Sequence, residues 1–524
     1  MADEKGTTPT PTTTPTPNPS TDAPTPNAAK ATSTAPSTAP APPADDLVTT
    51  RHTLKVGRRT LHYRATTGRV VLREETHADG VFSGLTPKAE MSMTAYVVET
   101  PGRQGKDATP DPARPVTFAF NGGPGSSSVW LHLGLLGPRR VDSGDAGALT
   151  PPPYGLLDNP ESLLAVSDLV FIDPVSTGFS RTVEGGKPKD YHGFTADIAS
   201  VGELIRLWTT REGRWLSPKF VIGESYGTTR AAALADHLQS THGMYLNGVM
   251  LISSVLDFAT LDFEFRNDRA SVDFLPTYAA IAHYHGKQGR RSLAAVLAEA
   301  EAYADRDYPW ALARGHRLTP AERAEAVATL ARLTGLHESW VDRADLRIEH
   351  QRFYAELLRD RGLVVGRLDS RFTGPLSAGN AEIADTDPSH DALSGSYAAA
   401  WNHYVRGELG YASDLAYTQL SMTAAEEWSF KEFEAKPVDV SARLARAMRA
   451  NPHLLVHVAS GYLDGATPYY GAQDVFAHLP VPAALLGNIE HRFYEAGHMM
   501  YAHEPSRVQQ SRDLADFVRR AARV

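Results

Sequence analysis

The chain has 524 residues, 42% hydrophobic and 22% charged, which is ample for a large core and close to the globular average. Its 52 Lys and Arg against 61 Asp and Glu leave a net charge of −9, which gives nucleic acid no electrostatic reason to bind, and no apolar run is long enough to cross a membrane. The absence of cysteine excludes disulfides, thiolate nucleophiles, Cys-ligated zinc and iron–sulfur clusters.

Met1 to Lys5 lead into Thr/Pro repeats without the apolar stretch of a secretory signal, so a cytoplasmic protein is expected, with secretion as the alternative. Thr, Pro, Ala, Ser and Asn dominate to about Pro43 and offer too little apolar surface to offset the entropy of ordering; residues 1–47 read as a disordered tail. Order is expected from Val48. Thr60–Arg64 and Met93–Val98 read as antiparallel leading strands.

Short apolar runs follow at Val116–Phe120, Asp168–Ile172, Phe220–Ile222 and Leu246–Ile252, with helical spacing over Thr195–Thr210 and Thr228–Gln239. Strands alternating with helices predict a mostly parallel sheet with helices on both faces. Trp208 and Trp215 read as core. Residues 48–256 form the first part of this domain. From 257 to 449 the chain is rich in Ala, Glu and Arg, with helical runs such as Ser292–Tyr303 and Pro320–Leu333, and reads as a helical lid insertion whose charged runs are solvated faces. Strand character resumes at Leu454–Val458 and Ile489–Tyr494, and a helix over Pro505–Ala522 closes the second part, 450–524.

Gly223-Glu224-Ser225-Tyr226-Gly227 lies between a strand and a helix, the setting of a nucleophile elbow, where a sharp turn lifts a serine hydroxyl above the strand ends. Upstream, Asn121-Gly122-Gly123-Pro124-Gly125-Ser126-Ser127-Ser128 follows a strand. Its glycines let backbone N–H groups approach a ligand, as an oxyanion hole shared with the residue after the nucleophile requires. No Lys-Ser/Thr pair follows, which argues against a phosphate loop. A serine needs a base and an orienting acid at later strand ends. Asp464 follows the strand at 454–458 and His498 the strand at 489–494, while His478 ends a helix, His491 lies within a strand and His503 falls beyond the turn. His283 and His285 read as a solvated helix end, and no metal site is expected.

These four motifs, in this order, resemble the serine carboxypeptidase family, peptidase family S10, and Asp173–Ser180 resembles a further family segment near the site. The resemblance implies an α/β-hydrolase fold with Ser225 as nucleophile, His498 as base and acid, Asp464 as its orienter, and the N–H groups of Gly123 and Tyr226 as oxyanion hole. It also implies that Asn121, Gly122 and Glu224 bind the C-terminal carboxylate of a peptide substrate. Two positions depart from the family pattern: Ala119 stands where it has tryptophan, and Leu135 where it has the glutamate that pairs with Glu224. The expectation is therefore a cofactor-free carboxypeptidase, with an esterase or acyltransferase on the same triad as the alternative and a homodimer left open.

Overall fold

The computed structural model describes residues 43–100, 109–434 and 436–523; the expected tail lies, as far as residue 42, outside them. The first strand begins at Asp46, two residues before Val48, with Asp45 holding the Val71 N–H at 2.9 Å.

Three long antiparallel strands, β1 (Asp46–Val56), β2 (Arg59–Ala78) and β3 (Val81–Thr100), lead the chain into the sheet. They are followed by β4 (Val116–Phe120), β5 (Asp168–Ile172), β6 (Lys219–Glu224), β7 (Gly248–Ile252), β8 (Leu455–Gly461) and β9 (Ile489–Tyr494). Their order in space is β1-β2-β3-β5-β4-β6-β7-β8-β9, and every pairing from β5 to β9 is parallel. A strand buried on both faces must be apolar at consecutive positions, which is why β4, β5 and β7 read as near-continuous apolar runs, whereas the edge strand β9 carries Glu490, His491 and Arg492 and is only partly buried. In β5, Val170 and Ile172 point to one face of the sheet and Leu169 and Phe171 to the other.

Helices α1 (Phe194–Arg211) and α2 (Tyr226–His242) cover the first face with Ile198, Val201, Leu204, Leu234 and Leu238. The insertion contributes α3 (Arg269–Tyr284), α4 (Leu293–Asp305), α5 (Pro320–Thr334), α6 (Pro388–His403) and α7 (Ser441–Ala450). Of these, α3 to α5 bury a third core around Phe274, Tyr278, Val296 and Leu330, which Leu463 and Tyr469 from beyond the insertion join. Helix α7 instead joins the first face through Leu444 and Met448, so the last turns of the range 257–449 cover the sheet rather than the site. The closing helix α8 (Glu504–Ala521) lays Leu514, Phe517 and Val518 on the second face. This is the α/β-hydrolase fold. One core assignment is corrected: Trp208 is buried, but Trp215 is 41% exposed, held by its indole N–H donating to Thr210 Oγ1 at 3.1 Å on a turn past the end of α1.

Candidate active site

Parallel strands place all their C-terminal ends along one edge of the sheet, and four of the five neighbouring ends from β4 to β9 supply the site. The glycine loop leaves β4, the Gly-Glu-Ser-Tyr-Gly turn leaves β6, the Asp464 loop leaves β8 and the His498 loop leaves β9.

Ser225 sits at φ 60°, ψ −132°, between β6 and the first turn of α2. So unfavourable a backbone needs external support. Its N–H donates to Ile252 O at 3.0 Å, and its carbonyl accepts from Thr228 N at 2.8 Å and Thr228 Oγ1 at 2.7 Å. The flanking glycines are steric requirements: a Cβ on Gly223 would lie 1.9 Å from Gly227 O, and one on Gly227 would lie 2.9 Å from Phe120 O. Gly122 is pressed so closely on the elbow that a Cβ there would meet Tyr226 N at 2.4 Å, which brings the 121–128 loop against the start of α2. Gly123, at φ 100°, turns the loop beside that helix end.

Asp464 and His498 are both buried, and His498 Nδ1 lies 2.9 Å from Asp464 Oδ2. Asp464 Oδ1 accepts the N–H groups of Ala466 at 2.8 Å and Thr467 at 2.9 Å, and Oδ2 accepts Thr467 Oγ1 at 2.7 Å. A carboxylate with only donors around it stays ionised: burial opposes the charge, but His498 and the Thr467 bonds outweigh it, and the Asp464 pKa is lowered. In return, although burial disfavours imidazolium, the Asp464 charge and hydrogen bond raise the His498 pKa above its usual value. The Asp464 contact assigns the proton to Nδ1 and leaves Nε2 as the free acceptor.

Beside this pair, Asn121 Nδ2 donates to Glu224 Oε1 at 2.8 Å, and Tyr501 OH donates to Glu224 Oε2 at 2.7 Å. Asn121 is fixed in turn, its Oδ1 accepting Leu131 N at 3.1 Å and its carbonyl accepting Arg230 at 2.6 Å. Burial raises the Glu224 carboxyl to about 7, against the opposing pull of His498 and both hydrogen bonds. Leu135 is buried among apolar neighbours, so the second partner of Glu224 is the phenol of Tyr501.

Asn121, Gly122, Gly123, Glu224, Ser225 and His498 line one cavity of about 450 Å³, while the lid contributes Arg367, Leu368, Asp387, His390, Leu420 and Met422 to its walls. Tyr226 follows Ser225 as the first residue of α2, and Asp464 stands behind His498. The competing histidines lie elsewhere: His478 caps a helix, His491 lies in β9 and His503 precedes α8. Among the described residues no cluster of His, Asp and Glu could hold a metal, and no helix is long and apolar enough to span a membrane.

Several supporting residues escape sequence reading. Arg230 bridges Asp197 at 2.8 Å and the Asn121 carbonyl, with the Phe120 and Tyr226 rings each 5.3 Å away. Its one signal in the sequence is a charge on each apolar helix face, Asp197 beside Ile198 and Arg230 beside Ala231. Tyr501 and Thr467 carry no pattern. Asp173, by contrast, opens the segment the sequence did single out near the site: it accepts Ser128 N at 2.8 Å and Ser128 Oγ at 2.7 Å and so ties down the far end of the glycine loop.

Residues 104–290 match the family model described as serine carboxypeptidase, which bears out the resemblance over a span holding the glycine loop and the elbow; Asp464 and His498 lie beyond it. No curated protein matches the chain significantly. Similar solved structures include a proline iminopeptidase from Mycobacterium smegmatis, at 13% identity over 90% of this chain and 99% of that one with a TM-score of 0.34. A thermophilic esterase from Thermogutta terrifontis is 12% identical over 87% of this chain and 98% of that one, with a TM-score of 0.33.

Proposed function

We propose that this chain, which matches the serine carboxypeptidase model over residues 104–290, hydrolyses C-terminal peptide bonds through an acyl-enzyme on Ser225. The observation that carries the reading is the Asp464–His498 contact at 2.9 Å, walled into the same cavity as Ser225 and the Glu224–Asn121 pair. Ser225 Oγ attacks the scissile carbonyl while His498 Nε2 takes its proton, and Asp464 stabilises the imidazolium. The N–H groups of Gly123 and Tyr226, helped by the positive end of α2, hold the oxyanion. His498 then protonates the leaving amine, and water repeats the sequence to release the acyl group. Asn121, Gly122 and Glu224 hold the substrate's terminal carboxylate, with Glu224 able to donate a hydrogen bond when protonated.

A second reading, an esterase or acyltransferase on the same triad, is favoured by Leu135 and Ala119, which depart from the family's carboxylate-binding pattern. Release of a C-terminal amino acid from blocked dipeptides, compared with hydrolysis of the matching esters and transfer to alcohols, separates the two. In either reading Ser225→Ala and His498→Ala should each lower turnover by about 10⁴-fold or more, and the double variant hardly further, because the residues act as one unit. Substantial turnover by Ser225→Ala, or no reaction of the native protein with a fluorophosphonate probe, would overturn the mechanism.

A further inference from the structure

The site so described contains hydrogen-bond donors for an anion, and the nearby Arg230 is already paired with Asp197 and bonded to the Asn121 carbonyl. Among the residues lining the cavity, Arg367 is the one arginine, and no lysine accompanies it. Its backbone is tightly held. Arg367 N donates to Asp387 Oδ1 at 3.1 Å, the next N–H, that of Leu368, donates to Asp387 Oδ2 at 2.9 Å, and Leu368 O accepts the His498 N–H at 2.6 Å. The arginine is thus fixed to the same short segment that holds His498.

Its guanidinium, by contrast, makes no hydrogen bond or ion pair among the described residues, and it is only half-buried. Two other lid arginines are engaged: Arg371 pairs with Asp369 at 2.6 Å and Asp145 at 2.7 Å, and Arg347 with Asp268 at 2.7 Å. Asp387, the acid beside Arg367, is occupied by the N–H groups of Arg367, Leu368 and Ser389 and by the Ser389 hydroxyl, and forms no ion pair with the guanidinium. The other cavity acid, Glu224, is bonded to Asn121 and Tyr501. Arg367 therefore lines the cavity on a segment held by its backbone, its guanidinium is met by no protein carboxylate among the described residues, and its charge reaches His498, where it opposes protonation. A guanidinium matches a carboxylate in bidentate geometry, and partial withdrawal from water strengthens such a pair.

We propose that Arg367 is a specificity-determining residue that pairs with a carboxylate of the substrate. The carboxylate is either the C-terminal one or an Asp/Glu side chain next to the scissile bond. Pairing has a second effect: it offsets the positive field at His498 as the imidazole takes the Ser225 proton. The proposal rests on Ser225 being the nucleophile of an acyl transfer, and deepens the carboxypeptidase reading by naming the substrate's charge.

The test compares the native protein with Arg367→Met and Arg367→Lys on matched pairs: a blocked dipeptide acid and its amide, peptides with Glu or Gln on either side of the cleaved bond, and p-nitrophenyl hemisuccinate against p-nitrophenyl butyrate. Arg367→Met should lower kcat/KM for the charged member of at least one pair by about tenfold or more relative to its uncharged partner, which is not slowed because the field opposing His498 protonation is gone, with Arg367→Lys between. The pair that responds identifies the source of the carboxylate. Equal changes in both members of every pair, or no change, overturn the proposal. Cleavage of the esters with no peptide cleaved would refute the carboxypeptidase reading, while the hemisuccinate comparison still decides the role of Arg367. If Arg367→Met fails to fold, Arg367→Lys decides through inhibition: the preference for succinate over succinamide should fall by about threefold or more from that of the native protein, and an unchanged preference overturns the assignment.

Discussion

At Glu224, burial and hydrogen bonding act in opposite directions, and burial wins. Its carboxyl is lifted to about 7 although Asn121 and Tyr501 both donate to it, so the group is neutral in weak acid and ionised in weak base. Ionised, it repels a substrate carboxylate; neutral, it can donate to one. The preference for a peptide acid over its amide should therefore be sharper at pH 5 than at pH 7 and should decline further above pH 7, while Glu224→Gln flattens the profile; kcat/KM for one such pair across this range checks it. The same shift affects stability. A carboxyl raised from its usual value to about 7 on folding favours the fold in its protonated form, and that contribution is lost as pH rises through 7. Glu224→Gln should accordingly be more stable than the native protein at pH 8 by up to about 3 kcal/mol, with much less difference at pH 5, as denaturant melts would read.

The elbow between β6 and α2 is an element whose geometry is enforced by what surrounds it. Ser225 adopts a strained backbone, held by Ile252 on one side and Thr228 on the other, and the close passage of the chain leaves no space for a Cβ at Gly223. Because the obstructing atom is the Gly227 carbonyl, part of the backbone of α2, the clash cannot be relieved by a rotamer change. Gly223→Ala should cost on the order of 3 kcal/mol of stability and slow labelling of Ser225 by a fluorophosphonate. Gly379→Ala, at a lid position with nothing within 4 Å of the added methyl group, should leave both unchanged within error. The opposite pattern would mean that the elbow does not depend on this packing.

For the whole molecule, the sheet is closed by helices on both faces, and the lid builds a third apolar cluster, shared with Leu463 and Tyr469, before returning the chain to α7 and β8. The lid is joined to the site by more than proximity: Leu368 O holds His498, and Ser127 N donates to Gln419 O at 2.9 Å beside the glycine loop. Residues 2–42 have a composition that cannot supply a core. Their deletion should leave melting temperature and kcat unchanged within error, whereas a clear drop in either would show that they dock on the folded part.

The sequence by itself determined the order of strands and helices, the elbow and the positions of Asp464 and His498. Each of these is local: an apolar run bounded by turn residues, a pair of glycines about a serine, or one acid and one histidine just past a strand. Trp215 was misread because an aromatic residue predicts burial only on average, and this one lies on a surface turn. Only the tertiary structure decided which groups complete the site. Tyr501 reaches Glu224 from 277 residues away in the chain, Arg230 joins Asp197 to the Asn121 carbonyl, and Arg367 enters the cavity from the lid. Side-chain hydrogen bonds and charge pairs leave no period in the sequence, because they depend on where distant segments meet once the apolar faces have packed.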